Sequence, residues 1–245
     1  MVIIKISKLK HWLLRIIRRK TDSPVDFNPF EHLKQKGHIP KDRMVKEGDT
    51  VVHLGVWRIE TIEQWAKLVG NHGQVIIVEG DELNHQINQI EVKRRLLTNV
   101  SVVNRCVWDK KENITLQISD ISRRNKIKEA QTIDRINPDS NYRKEKIIVG
   151  DTLDNILQEL NVTRINHVFM SISGSEIEAL GGMNKIIETN SDLSLYIRAI
   201  LLNENTGNSN SYAVAEFLEN KGFRVQVAPR EKNRDGSNVY AEKVR

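Results

Sequence analysis

The chain has 245 residues, with 38 Lys+Arg against 32 Asp+Glu and 39% hydrophobic residues. That length and apolar content exclude a disordered or fibrous protein and fit one large α/β domain or two small ones. Cys106 is the only cysteine, which excludes an internal disulfide and a cysteine-built zinc site, and no apolar run approaches the ~20 residues needed to span a bilayer.

Residues 1–20 hold Lys5, Lys8, Lys10, Arg15, Arg18, Arg19 and Lys20 and no acid, so the net +6 of the chain belongs to this segment and the remainder sums to −1. A body of that charge offers no basic patch for nucleic acid. Ile3, Ile6, Leu9, Leu13, Ile16 and Ile17 recur at helical spacing, with Trp12 and Leu14 broadening the face. The pattern predicts a basic amphipathic helix, suited either to an anionic membrane surface or to packing on its own domain or a second subunit, as in a homodimer. It is a poor signal peptide, so a cytoplasmic protein, peripheral to the membrane at most, is expected. Residues 21–45 hold Pro24, Pro29 and Pro40 and read as an irregular leader.

From residue 46 to 245 strands and helices alternate as one domain. Thr50–Leu54 is a short apolar strand, Glu60–Val69 a helix, and Val75–Glu79 a buried strand. Residues 82–97 have helical periodicity through Leu83, Ile87, Ile90 and Leu97, and Val100–Val107 and Ile114–Ile118 follow as strands. Residues 122–146 are charged and aperiodic, and read as a mobile insert. Leu153–Leu160, Glu176–Thr189 and Ser211–Lys221 read as helices, Ile165–Ile172 and Leu193–Leu201 as strands. Phe223–Val227 and Asn238–Val244 flank Asn-Arg-Asp-Gly at 233–236, a hairpin signal. The expected fold is α/β, a doubly wound Rossmann-like sheet, mainly parallel, closed by an antiparallel hairpin.

Ligands of such sheets sit at the carboxyl ends of the strands. Gly55 follows the first strand, and Glu79-Gly80-Asp81 ends the second. A carboxylate there can accept two hydrogen bonds from a ribose diol, and a glycine lets backbone approach a nucleotide, so adenosyl binding is expected at Gly55, Glu79, Gly80 and Asp81. His53, neutral at its ordinary pKa of ~6.5, stands where a general base or a hydrogen-bonding group would be useful. His167 falls at the start of its strand, the wrong end for chemistry, and no residues have the spacing of a metal site.

Five segments together resemble the FkbM-type S-adenosylmethionine-dependent methyltransferases over roughly residues 45–228. These are Val45-Lys-Glu-Gly-Asp-Thr-Val-Val-His-Leu-Gly55, Val75-Ile-Ile-Val-Glu-Gly-Asp81 with Asn84 and Asn88 after it, and Val103-Asn-Arg-Cys-Val-Trp-Asp109. The other two are Gly150-Asp-Thr-Leu-Asp-Asn-Ile-Leu157 and Ser171-Ile-Ser-Gly-Ser-Glu-Ile-Glu-Ala-Leu-Gly-Gly-Met183. The resemblance implies a class I methyltransferase fold of seven strands, S-adenosylmethionine as cofactor, and an oxygen acceptor on a glycan, a glycolipid or a small natural product. It places Ser171 and Ser173 around the methionine end and the acceptor.

The departures are specific. His53 stands for the family's usual Asp, and Gly55-Val56-Trp57-Arg58-Ile59 for its Gly-Ala-Asn-x-Gly turn. Ser171 and Ser173 replace the leading Asp and Glu of the last signature, while Gly174 and Glu176 remain. A β-branched Ile59 is expected to resist positive φ and to fill the volume of the methionine. From these changes comes an alternative expectation, a non-catalytic interaction protein that keeps the fold and has lost its cofactor.

Overall fold

Five consecutive strand-formers, Thr50–Leu54, make β1, and all five residues pair with Gln74–Val78 (β2) in parallel register, Val52 opposite Ile76. The computed structural model describes residues 45–56, 59–119, 125–130, 142–200, 210–228 and 236–244. The basic helix expected over 1–20 and nearly all of the leader lie outside them.

After β1 come α1 (Ile59–Val69), β2, α2 (Glu82–Arg94), β3 (Val100–Val103), β4 (Cys106–Val107), β5 (Glu112–Ser119), β6 (Lys126–Ile127) and β7 (Tyr142–Asp151). The chain continues through α3 (Leu153–Glu159), β8 (His167–Met170), α4 (Glu176–Gly181), α5 (Asn184–Thr189), β9 (Ser194–Ile200), α6 (Asn210–Asn220), β10 (Phe223–Val227) and β11 (Gly236–Lys243). The main sheet runs β3-β2-β1-β8-β9-β11-β10, parallel except for β11, which lies antiparallel between β9 and β10. This is the doubly wound, Rossmann-like arrangement that the alternation of elements predicts, and the class I methyltransferase-like order that the resemblance implies.

Because side chains alternate along a strand, the sheet buries two layers. Val52, Leu54, Ile76, Val168 and Met170 pack with Leu157, Leu180, Ile187, Val214 and Leu218 of α3–α6. On the opposite face Val51, Val75, Ile77 and Phe169 pack with Ile59, Ile62, Trp65 and Val69 of α1. No helix among the described residues is long and apolar enough to cross a membrane.

Three details differ from the sequence reading. The buried face of α2 is Asn84, Ile87, Asn88 and Val92, while Leu83 and Ile90 are exposed. The expected single helix 176–189 is two. Gly182 separates them where a Cβ would lie 2.1 Å from the Trp108 carbonyl oxygen, a contact no larger residue permits. The described parts of the expected insert, 125–130 and 142–146, are built into a second sheet, β4-β7-β5-β6, around Trp108, Ile114, Ile127 and Ala130.

Candidate functional site

The carboxyl ends of β1, β2 and β8 are laced together by main-chain hydrogen bonds. Gly55 N–H donates to the Val78 carbonyl at 3.0 Å, Ser171 N–H to Leu54 at 3.0 Å, and Glu79 N–H to Val103 at 3.0 Å. The sequence-predicted residues Gly55, Glu79, Gly80, Asp81 and Ser171 are therefore brought to one edge of the sheet, with His53 one residue inside it.

Gly55 has φ +73, and a Cβ on it would lie 2.4 Å from the Ser171 carbonyl oxygen. The glycine is required by the neighbouring backbone, whatever ligand lies above it. Gly80 is similarly placed against Cys106, with Sγ 2.8 Å from where its Cβ would be. Burial pushes the Cys106 thiol up to about 12, so it is a packing group and not a nucleophile.

Glu79 is the chemically richest residue of the edge. Its Oε1 accepts the Asp81 backbone N–H at 2.9 Å, and the Val56 backbone and the Asn84 side chain also donate to the carboxylate. Burial dominates nonetheless, raising its pKa to about 8. Three donors thus converge on the Glu79 carboxyl group at the strand tip. Asn104 steadies the turn from beneath, its Nδ2 donating to the Glu79 carbonyl at 2.8 Å.

Asp81, by contrast, is committed to structure. It is the N-cap of α2, accepting Leu83 N–H at 2.9 Å on Oδ1 and Asn125 Nδ2 at 2.7 Å on Oδ2.

His53 shares its face of the sheet with Phe169, the two rings stacked with centroids 6.0 Å apart. Burial lowers its pKa to about 4, and its Nδ1 has no hydrogen-bond partner among the described residues. At neutral pH it is an uncharged imidazole with a buried, unpartnered Nδ1, and its low basicity disfavours it as a general base.

The turn after β8 goes left-handed at two successive residues, Ser173 (φ +59) and Gly174 (φ +104). A serine there costs about 1–3 kcal/mol, strain of the kind found at ligand-binding turns. Glu176, fully buried, holds the turn: Oε1 accepts Gly174 N–H at 2.9 Å and Oε2 accepts Asn210 Nδ2 at 2.6 Å. Burial raises its pKa to about 7. The roles of Asn84, Asn104 and Asn210 are not evident from sequence, where a buried amide looks like any surface polar residue.

The turn between β1 and α1 corrects the expectation built on its bulky residues. Val56 and Ile59 are each 3% exposed and join the α1 core cluster, and Ile59 opens α1 without positive φ. Their side chains go into the protein interior, so the argument from Ile59 that the methionine volume is filled does not hold. Trp57 and Arg58 lie outside the described residues. His167 is at the far end of its strand as expected, its Nδ1 2.7 Å from Ser194 Oγ and its Nε2 3.0 Å from Asp49 Oδ2. No group of side chains among the described residues has the make-up of a metal site.

No protein-family model matches the chain, and no curated protein matches it at a significant level. Solved structures do. A SAM-dependent methyltransferase from Aquifex aeolicus aligns with a TM-score of 0.51 at 20% identity, over 94% of this chain and 98% of that one. An O-methyltransferase candidate from Klebsiella pneumoniae aligns with a TM-score of 0.53 at 9% identity, over 96% and 90% of the two chains. An rRNA-methylase candidate from Clostridium thermocellum gives 0.50 at 16% identity, over 87% and 94%. At these identities the similarity establishes the class I methyltransferase fold.

Proposed function

We propose that the chain is an S-adenosylmethionine-dependent methyltransferase of FkbM type, acting on an oxygen nucleophile. The observation that carries this reading is the pairing of Gly55 and Glu79 at the tips of two adjacent parallel strands. Glu79 there sets a hydrogen-bonding carboxyl group at the strand tip, inside a sheet of methyltransferase order. The fold by itself would not carry it, since folds host many functions. The structural neighbours from Aquifex and Klebsiella, described as methyltransferases, add support.

The residues present fit such a cofactor. Glu79 accepts the ribose hydroxyls, and Gly80 and Cys106 keep that end of the pocket compact. We assign His53 to the methionine end as a neutral hydrogen-bonding group, its buried Nδ1 having no partner among the described residues. The hydroxyls of Ser171 and Ser173 take polar roles at the methionine end and the acceptor, replacing charged groups with neutral ones. When bound, the cofactor supplies an activated methyl group on a sulfonium. The protein's part is to hold the acceptor in line with it and exclude water. A hydroxyl of a glycan, glycolipid or small natural product is the acceptor we assign, on the strength of the resemblance in motifs.

Calorimetry with S-adenosylhomocysteine tests the reading. The expected result is saturable binding that weakens by about tenfold or more in Glu79→Ala, as loss of the hydrogen bonds to the diol requires. An absence of binding by the unsubstituted protein overturns the function. Unchanged binding by the variant overturns the role of Glu79.

A further inference from the structure

We infer that the inserted β4–β7 sheet is a working part of the adenosyl site, and that Asn125 is the positioning residue that couples it to Glu79. The inference rests on the adenosyl reading above and extends it to a residue that touches no ligand.

Asn125 lies just before β6 and uses both ends of its amide. Its Oδ1 accepts the Ser119 backbone N–H at 3.0 Å, at the end of β5, and its Nδ2 donates to Asp81 Oδ2 at 2.7 Å. Asp81 in turn donates its own backbone N–H to Glu79 Oε1 at 2.9 Å. A continuous path of three hydrogen bonds thus runs from the end of β5, through two side chains, to the carboxylate assigned to the ribose. Next to it Lys146 of β7 meets Glu82 at 2.5 Å, a solvent-exposed pair that adds little by itself but marks the same contact.

The inserted sheet has contacts besides this one. It has its own apolar cluster of Trp108, Ile114, Ile127 and Ala130, and it meets the body where the Trp108 carbonyl lies against Gly182. The Asn125–Asp81 bond is a polar link between the inserted sheet and the strand end that carries Glu79. The Asp81 carboxylate is held from two sides, by Leu83 N–H and by Asn125, which fixes the Gly80–Asp81 peptide. That peptide carries the N–H that orients Glu79. Without Asn125 the carboxylate of Asp81 keeps its cap but loses its lateral restraint, and Glu79, still held by Val56 and Asn84, has one of its three restraints loosened. Orientation held in advance is what a diol-binding carboxylate needs to bind without an ordering cost.

The test is calorimetry with S-adenosylhomocysteine on the unsubstituted chain, Asn125→Ala and Asn125→Asp, beside the melting temperature of each protein alone. The expected result is that Asn125→Ala binds about tenfold more weakly with little change in melting temperature. Asn125→Asp, though the same size, should bind more weakly still, because it sets a second carboxylate against Asp81. Equal affinity in all three proteins overturns the inference and leaves the adenosyl reading standing. Affinity that falls only in step with melting temperature also overturns it, since Asn125 is then merely structural. No binding by the unsubstituted chain overturns the adenosyl reading itself, and this inference with it.

Discussion

Gly55 and Ser171 occupy space that admits no side chain between them: a Cβ at residue 55 would sit 2.4 Å from the Ser171 carbonyl oxygen. The contact packs the turn after β1 directly on the turn after β8, the two loops that would flank a cofactor. Gly55→Ala meets two faults together, the φ of +73 and a clash with backbone that has no rotamer to escape into. The expected cost is about 2–4 kcal/mol of stability, read from urea unfolding. A loss below about 0.5 kcal/mol would show that the turns are not locked in this way.

Glu79 gives stability a pH dependence of definite sign. Its folded pKa is raised from 4.5 to about 8 by burial, so the folded state keeps a proton that the unfolded chain has released. Stability contributed by this group is therefore lost as pH rises from about 4.5 towards 8, by at most about 1.4 kcal/mol per unit. Glu79→Gln removes the titration. Its unfolding free energy, measured across that range, should fall less steeply with pH than that of the unsubstituted protein, and parallel profiles refute the assignment.

The strands that carry the site are legible because each is a run of apolar residues closed by a turn signal, as Val75–Val78 is by Glu79-Gly80-Asp81. What periodicity misreads is α2. A helix that buries Asn84 and Asn88 shows its apolar stripe in the wrong place, and only the position of Glu79 explains an amide on the inner face. Ile59 is misread for a related reason: its burial depends on the direction in which the turn enters α1, which no local pattern encodes. The second sheet is hidden because β7 mixes Lys144, Glu145 and Lys146 with Ile147, Ile148 and Val149, and Ile147 and Val149 are exposed. Its register is set by β5, more than twenty residues away along the chain, with Ile148 opposite Ile114.

At the opposite edge of the sheet, His167 bridges Asp49 and Ser194, all three buried. Nothing in this arrangement faces the site, so its role is to tie the starts of β1, β8 and β9. His167→Ala leaves the Asp49 carboxylate buried without its imidazole, an expected loss of about 2–4 kcal/mol. Affinity for S-adenosylhomocysteine, measured where the variant is still folded, should be unchanged. A selective loss of binding at full stability would place His167 in the functional site instead.

Glu176 offers a sharper test, because the two other residues that bond its carboxyl group, Gly174 and Asn210, are both donors. A carboxylate satisfies both, while a glutamine must turn its amino group towards one of them. Gly174 N–H is fixed in the backbone, so the glutamine oxygen must stay there and its amino group must face Asn210. Asn210 can accommodate this by rotating its amide, since its Oδ1 has no partner among the described residues. Glu176→Gln is therefore expected to cost no more than about 1 kcal/mol, whereas Glu176→Ala strands both donors and costs about 2–4 kcal/mol. The two variants also differ from the unsubstituted protein in pH response. The Glu176 pKa is raised from 4.5 to about 7, so its contribution falls as pH climbs through that window, and neither variant retains this term. Urea unfolding at the two ends of the window measures both effects. Equal losses from Gln and Ala would mean that Asn210 is held in place by another contact and cannot turn.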